Sequence, residues 1–434
     1  MDEPHKPSIT ACPDCDLLIP VPEVPDGHYI ACGRCEATLS KSYVDSIDRV
    51  ISLSFAGLLL YLPAMFLPLM TLSSLGLKEK GSVVDTCFGF YQNGYVLVSV
   101  ITFVTAVVVP FLKIFLPFII ALSIKLGHNR PFLIPLFKFH KHLEEWGMVE
   151  IYLLGILITL IKMGDVASID FNLGFFCFIG LVLISIAVSV SMDRRLFWYN
   201  LDRTPPSETD REIQRFGALL NDSPDTVQTA ANLGLVRCHD CGKLVKVEHD
   251  DQECPRCDSP LHFRTRGSLG ITWALVITSL ILFFPANMLP IMRVDFLGVP
   301  DRSTILDGII YFFTHGSIGI GLIIFIASIL VPLYKIIGLA IILLSIRSGK
   351  NRNLKQKSKM FRFIEFIGRW SMLDIFVVAL LSVLVDFGFL TSIHTAPGAT
   401  YFCLVVIATM CAAIVFDPRI LWDSCDPVKP VSPT

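Results

Sequence analysis

Eight of the thirteen cysteines fall into four Cys-x-x-Cys pairs: Cys12/Cys15, Cys32/Cys35, Cys238/Cys241 and Cys254/Cys257. Two intervening residues let a tight turn aim both sulfurs at one ion, and two such turns complete a tetrahedral shell. Sixteen residues separate the first two pairs and twelve separate the second two, a spacing that suits two ribbon-like modules. Zinc fits four thiolates and adds no redox chemistry, so two zinc sites of four cysteines each are expected. An iron site of the rubredoxin kind, or a thiol redox pair, uses the same residues. A closed four-thiolate shell has no open coordination position, which makes the expected role structural. Neither module carries a basic aromatic patch and the net charge is -2, so nucleic acid is not an expected partner.

A second set of chemically notable residues lies in apolar surroundings. Lys113 and Lys335 each follow a proline by three residues, Pro110 and Pro332, inside long apolar runs. Glu150 and Asp374 sit just inside later apolar runs. Ionisable groups at such depth are expensive and face protein or water, so they are functional candidates by default. Two pairs are expected, Lys113–Glu150 and Lys335–Asp374. An ion pair between helices, a place on a substrate or proton path, and plain snorkelling to the interface remain open for them. Proline pairs close two other apolar runs, Pro63/Pro68 and Pro285/Pro290, with Asn287 between the second pair. They mark either kinked spans lining a path or simple bends at helix ends.

These residues need a membrane scaffold. Of 434 residues 53% are hydrophobic and only 17% charged, where an average soluble domain has about 25% charged residues. Mean hydropathy is +0.63. The first forty residues are polar and Cys-rich, without the apolar core of a cleavable leader. Self-comparison finds a duplication. An offset of 222 relates Cys32 to Cys254, Pro63 to Pro285, Asp85 to Asp307, Pro110 to Pro332 and Lys113 to Lys335. An offset of 224 relates Trp146 to Trp370, Glu150 to Asp374, Asp193 to Asp417 and Trp198 to Trp422.

The reading is a mainly α, polytopic membrane protein: a tandem repeat of a zinc-ribbon-like module plus four transmembrane helices, about eight spans in total. Spans are expected near 50–70, 95–124, 147–163 and 173–191, then 270–291, 317–346, 371–390 and 399–416. The units are a module at 1–45, a membrane unit at 46–199, a polar linker at 200–236, a second module at 237–265, a second membrane unit at 266–424 and a tail at 425–434. Segments Phe132 to Leu143 and Leu354 to Ile367 read as amphipathic helices on the inner leaflet. Small hairpins are expected in 69–85 and 291–307. Lys and Arg crowd the loops after the second span of each half, which places both termini and both modules in the cytoplasm. Walker A, Gly-x-Ser-x-Gly and HExxH patterns are absent, so an enzyme is not expected.

The run Gly368-Arg369-Trp370-Ser371-Met372-Leu373-Asp374 is the most specific sequence here, with Pro285 to Met292, Ser303 to Leu306, Ala327 to Lys335 and Phe416-Asp417-Pro418-Arg419. With the Cys-x-x-Cys pairs, it resembles the paraquat-inducible protein A family, which takes in the lipophilic envelope-spanning tunnel proteins. The resemblance covers nearly the whole chain. The first half departs from it, with Glu144 to Glu150 in place of the Gly-Arg-Trp-Ser-Met run. Arg369 and Ser371 therefore join the expected polar network only in the second half. The resemblance implies a Gram-negative inner-membrane protein that passes phospholipids between that membrane and a periplasmic tunnel protein with mammalian-cell-entry (MCE) domains, supporting envelope integrity. A membrane thiol-redox or quinone-linked enzyme, and a purely structural anchor for the tunnel, are the alternatives.

Overall fold

The computed structural model describes residues 8–21, 28–41, 43, 45–74, 77–92, 94–127, 131–144, 146–163, 168–202, 213, 228–247, 252–296, 299–314, 318–348, 353–368, 373, 376–378 and 391–423. The first module is two hairpins, β1 (Ser8–Ala11) with β2 (Leu18–Val21) and β3 (Tyr29–Ala31) with β4 (Thr38–Lys41). Each ladder flanks a Cys-x-x-Cys turn. The first membrane unit opens with α1 (Ser46–Phe66). Then come β5 (Met70–Ser74), β6 (Leu77–Gly81), α2 (Val83–Gln92) and a 30-residue helix, α3 (Val96–Lys125). It continues with α4 (Leu133–Glu144), α5 (Val149–Met163), β7 (Ser168–Phe171), α6 (Leu173–Ser191) and α7 (Arg194–Leu201).

The second half repeats this order. Its module holds β8 (Leu235–Arg237) and β9 (Leu244–Lys246). Its membrane unit holds α8 (Ser268–Met288), β10 (Met292–Phe296), β11 (Val299–Ser303) and α9 (Ile305–Thr314). A long α10 follows, as Ile318–Phe325 and Val331–Arg347 joined through a π-helical turn, then α11 (Leu354–Gly368), β12 (Thr391–Thr395) and α12 (Pro397–Val415). The expected outer hairpins are β5–β6 and β10–β11. Each gains a third strand from later in its half, β7 on β5 and β12 on β10. One end of the molecule thus carries two small sheets and the other carries the cysteine modules.

The duplication is physical, not only textual. Ser46 donates to the Ser191 carbonyl at 2.7 Å and accepts from the Asp193 N–H at 2.9 Å. Ser268 does the same with Val415 and Asp417, both at 2.9 Å. Asp85 and Asp307, kept in register by the repeat, close helix N-termini against Ser82 and Thr304. Gly174 and Gly398 lie so close to the Pro68 and Pro290 carbonyls that a Cβ would approach each oxygen to 2.6 Å. Only glycine lets the last span of each half pass the corner that its first span makes onto the sheet.

Six helices among the described residues are long and apolar enough to cross a membrane: α1, α3, α6, α8, the Gly321–Arg347 part of α10, and α12. Eight were expected. The third span of the first half, read as 147–163, is the 15-residue α5, about 22 Å long against a hydrocarbon core of about 30 Å. Connectivity still carries the chain across, because α5 links the module-side α4 to β7 in the sheet. The counterpart expected at 371–390 lies largely outside the described residues. The chain there likewise joins module-side α11 to sheet strand β12.

Both long second helices contain a π-helical turn, Val104–Val108 and Ile326–Leu330, just before Pro110 and Pro332. A proline has no N–H and its ring crowds the carbonyl four residues back. A local widening of the helix is the ordinary accommodation.

Crossed cysteine modules and the buried cations

In each module four sulfurs come together, all buried and within 4.8 Å of one another. The Cys12–Cys35 and Cys15–Cys32 sulfurs are 3.4 and 3.6 Å apart; Cys238–Cys257 and Cys241–Cys254 are both 3.5 Å apart. A disulfide has sulfurs about 2 Å apart. A tetrahedron with metal–sulfur bonds of about 2.3 Å has edges of about 3.8 Å. The spacing therefore fits one metal ion per set. Main-chain N–H groups reinforce each turn: Asp16 N–H donates to the Cys12 carbonyl at 3.0 Å, Gly242 N–H to Cys238 at 3.0 Å and Asp258 N–H to Cys254 at 2.8 Å.

Each module sits on the membrane unit of the other half. The cysteines of the first module belong to one apolar cluster with Leu339 and Ile342 of α10, Phe361 of α11, and Trp422. Arg362 of α11 donates to Asp14 and to the Cys35 carbonyl, both at 2.7 Å. Lys355 and Lys359 close on Glu36 and hold its carboxyl down at about 2. The Arg34 guanidinium lies 4.4 Å from the centre of the Trp422 ring. The cysteines of the second module belong to an apolar cluster of the first half that includes Leu116, Ile120, Phe137, Phe197 and Trp198. Lys138 donates to the Cys257 carbonyl at 3.2 Å, and both Lys138 and Lys141 lie within 4 Å of Asp240. With His239 and Ser259 also hydrogen-bonded to it, Asp240 is held well below the usual carboxylate range.

The amphipathic helices expected over Phe132 to Leu143 and Leu354 to Ile367 are α4 and α11. Lysines of both meet acids and carbonyls of the modules. The modules also bind each other. Ala230 N–H donates to the Asp16 carbonyl at 2.9 Å, Leu18 N–H donates to the Gln228 carbonyl at 3.0 Å, and Arg264 reaches Asp16. Residues 228–236, read as linker, thus fold with the modules. Arg237 is buried near Cys12, Cys238 and Cys241, and burial lowers its pKa. Four thiolates around a divalent ion would carry net negative charge, which this guanidinium would offset.

The buried lysines lie deeper. Lys113 is 6% exposed, with its Nζ 3.6 Å from a Glu150 oxygen. Gly147 leaves room for it, since a Cβ there would lie 2.9 Å from Lys113 Cδ. Lys335 is fully buried, and its Nζ is 3.5 Å from the Gly368 carbonyl. Asp374, Arg369 and Ser371 lie outside the described residues. Pro63 and Pro285 are in the last turns of α1 and α8, and Pro68 and Pro290 fall in the corner leading to the sheets. The Asn287 amide donates to the Phe283 carbonyl at 2.9 Å, and among the described residues its own carbonyl has no partner.

No motif singles out His140. It is 2% exposed and stacks on Phe137, with its Nδ1 3.8 Å from a Glu144 oxygen. Burial pushes the His140 pKa down to about 4.

A duplicated bundle with two module-side four-cysteine clusters and two sheets at the opposite end defines a multi-pass membrane protein with metal-binding modules. The model of the family described as paraquat-inducible protein A matches residues 47–202 and 269–426, one match for each membrane unit. The chain belongs to that family. It is 31% identical over 423 residues to the intermembrane transport protein PqiA of Escherichia coli (strain K12), covering 96% of both chains. It is 31% identical over 417 residues to the lipophilic envelope-spanning tunnel protein A of the same strain, covering 95% of this chain and 91% of the relative. A probable intermembrane transport protein of Haemophilus influenzae is 29% identical over 426 residues, 97% of each chain. No solved structure matches.

Proposed function

We propose that this chain is the inner-membrane component of an intermembrane lipid transport system, passing phospholipids between that membrane and a periplasmic MCE-domain tunnel protein. The observation that carries the reading is the near full-length match to relatives named for intermembrane transport and for an envelope-spanning tunnel. The excess of Lys and Arg on the module side supports modules facing the cytoplasm and sheets facing the periplasm. Each four-cysteine set would hold one zinc ion as a structural brace, since four thiolates leave no open position for chemistry. Lys335, with Asp374, Arg369 and Ser371, is the proposed polar site on the lipid path. A cation buried in an apolar bundle can meet a phosphate without first shedding bulk water.

The thiol-redox reading is weaker, because all eight module cysteines are buried and gathered in sets of four. The anchor reading keeps the partner and drops the lipid path. Purification of the tagged chain from Gram-negative membranes tests the assembly, with bound proteins identified by mass spectrometry. The expected result is an MCE-domain protein held with two zinc ions per chain. Zinc-free protein with redox-active thiols and no such partner would overturn the proposal.

A further inference from the structure

The two modules meet around one residue. Asp16, directly after Cys15, is 3% exposed and has a left-handed backbone, φ 61°. Counted from Cys15 and Cys241, its counterpart in the second module is Gly242, at φ 74°. A left-handed turn suits glycine and strains a residue with a side chain. The Asp16 carboxylate has a use that a glycine could not supply. One of its oxygens accepts from the Ala231 N–H at 3.2 Å and from Arg264 at 3.3 Å, both in the second half. Arg264 is held in turn by Asp423 at 3.0 Å. The Asp16 main-chain carbonyl accepts from the Ala230 N–H at 2.9 Å, and Leu17 forms an antiparallel bridge with Thr229.

These contacts join the two cysteine sets by a short path. The Asp16 N–H closes the Cys12-to-Cys15 turn on the Cys12 carbonyl at 3.0 Å, so the turn that gathers the sulfurs also aims Asp16. On the other side the Ala230 carbonyl accepts from the Leu235 N–H at 2.9 Å, and Leu235 opens β8, which runs into Cys238. Ala11 and Leu18 of the first module belong to one buried apolar cluster with Ala230, Leu235 and Leu244. Modules this small do not bury a core alone, and these two share one. Arg237, buried near Cys12 of one set and Cys238 and Cys241 of the other, would serve both sets when filled.

We propose that the two metal sets are coupled through Asp16: an ion held in either set raises the affinity of the other, and the modules load as one unit. The inference rests on the reading that each set holds a metal ion. Metal binding by such modules is linked to their folding, and here the folded turn of one is the surface on which the other is built. Linkage makes the effect reciprocal.

The test strips the full-length chain of metal in detergent, under reducing conditions, and returns zinc alone in steps. Native mass spectrometry counts zinc per chain, and alkylation of the cysteines, mapped by peptide, reads each set separately. The expected result is two zinc ions per chain, with fewer one-zinc chains at half-saturation than independent sites give. Cys15→Ser, which opens the first set, should weaken zinc protection of Cys238, Cys241, Cys254 and Cys257 about ten-fold, within the usual span of coupling between sites. Excess zinc should still fill that set. Cys241→Ser should weaken the first set by the same factor. Asp16→Gly keeps the left-handed turn and its main-chain bonds, and should raise the share of one-zinc chains while the final count stays at two. Sets that fill independently in the unaltered chain, or a second set indifferent to Cys15→Ser, would overturn the coupling and leave the metal reading standing. An unchanged share of one-zinc chains in Asp16→Gly would overturn Asp16 as the link and with it the proposal. A chain that takes up no zinc would overturn the metal reading itself and the coupling with it.

Discussion

His140 and Lys113 are buried ionisable groups that each face a carboxylate. The His140 ring lies 3.8 Å from a Glu144 oxygen, and the Lys113 side chain turns to Glu150. With a folded pKa of about 4 against about 6.5 unfolded, His140 is neutral in the folded protein at neutral pH. Protonation favours the unfolded chain, so this contribution is intact above about pH 6.5 and stability falls as pH drops toward 4. Thermal melts in detergent should show that loss between pH 6.5 and 4, and His140→Phe should flatten it. Glu150→Gln leaves a nearly buried ammonium without its carboxylate. A destabilisation of about 2 kcal/mol is expected, below the fully buried range because Glu150 is partly exposed. Adding Lys113→Met should restore most of it, and a double variant no more stable than Glu150→Gln would show that the pair is not coupled. The two ionisable positions were legible in sequence because charge is rare in apolar runs. His140 was not, because its burial depends on which elements pack over α4.

Helices α4 and α11 stand where the sequence places them but gain a neighbour it does not reveal. Both have the basic, amphipathic pattern of a surface helix, and in both the basic face is taken by a module from the opposite half. Nothing in a duplicated sequence distinguishes self from crossed pairing. Glu36 and Asp14 would complement Lys138 and Lys141 as well as they complement Lys355, Lys359 and Arg362. The decision rests on geometry, since short connectors hold each module at the start of its own first helix while it leans over the neighbouring unit. The crossing has a measurable consequence. Cys15→Ser opens the first metal set, so hydrogen exchange should rise in Leu354–Gly368 of the second half while Leu133–Glu144 of the first stays protected. Cys241→Ser should give the mirror pattern. Protection lost within the same half as the altered cysteine would contradict the crossed arrangement.

At the scale of the whole molecule, the halves share one apolar core. Tyr152 of the first half meets Phe376 of the second edge-to-face at 5.3 Å, and its hydroxyl bonds Thr86 at 2.9 Å. The crossed modules lock the pair from one end, and two three-stranded sheets stand at the other. Architecture of this kind is legible from repeats, hydropathy and Cys spacing, because each reports a periodic demand of burial or coordination. The shortness of α5 and the π turns were not, since they depend on how far a helix must reach once its neighbours are placed. If this assembly moves phospholipid between membranes as proposed, transfer must depend on the chain. The most direct measurement is transfer of a fluorescent phospholipid from vesicles carrying the chain to acceptor vesicles, in the presence of its MCE-domain partner, for the unaltered protein and for Lys335→Met. The expected result is transfer that requires the chain and drops at least about ten-fold in Lys335→Met, the scale of losing one buried charged contact, with assembly and zinc content unchanged. Transfer that proceeds equally without the chain, or is untouched in a normally assembled Lys335→Met, would contradict it and leave an anchor in place of a transporter.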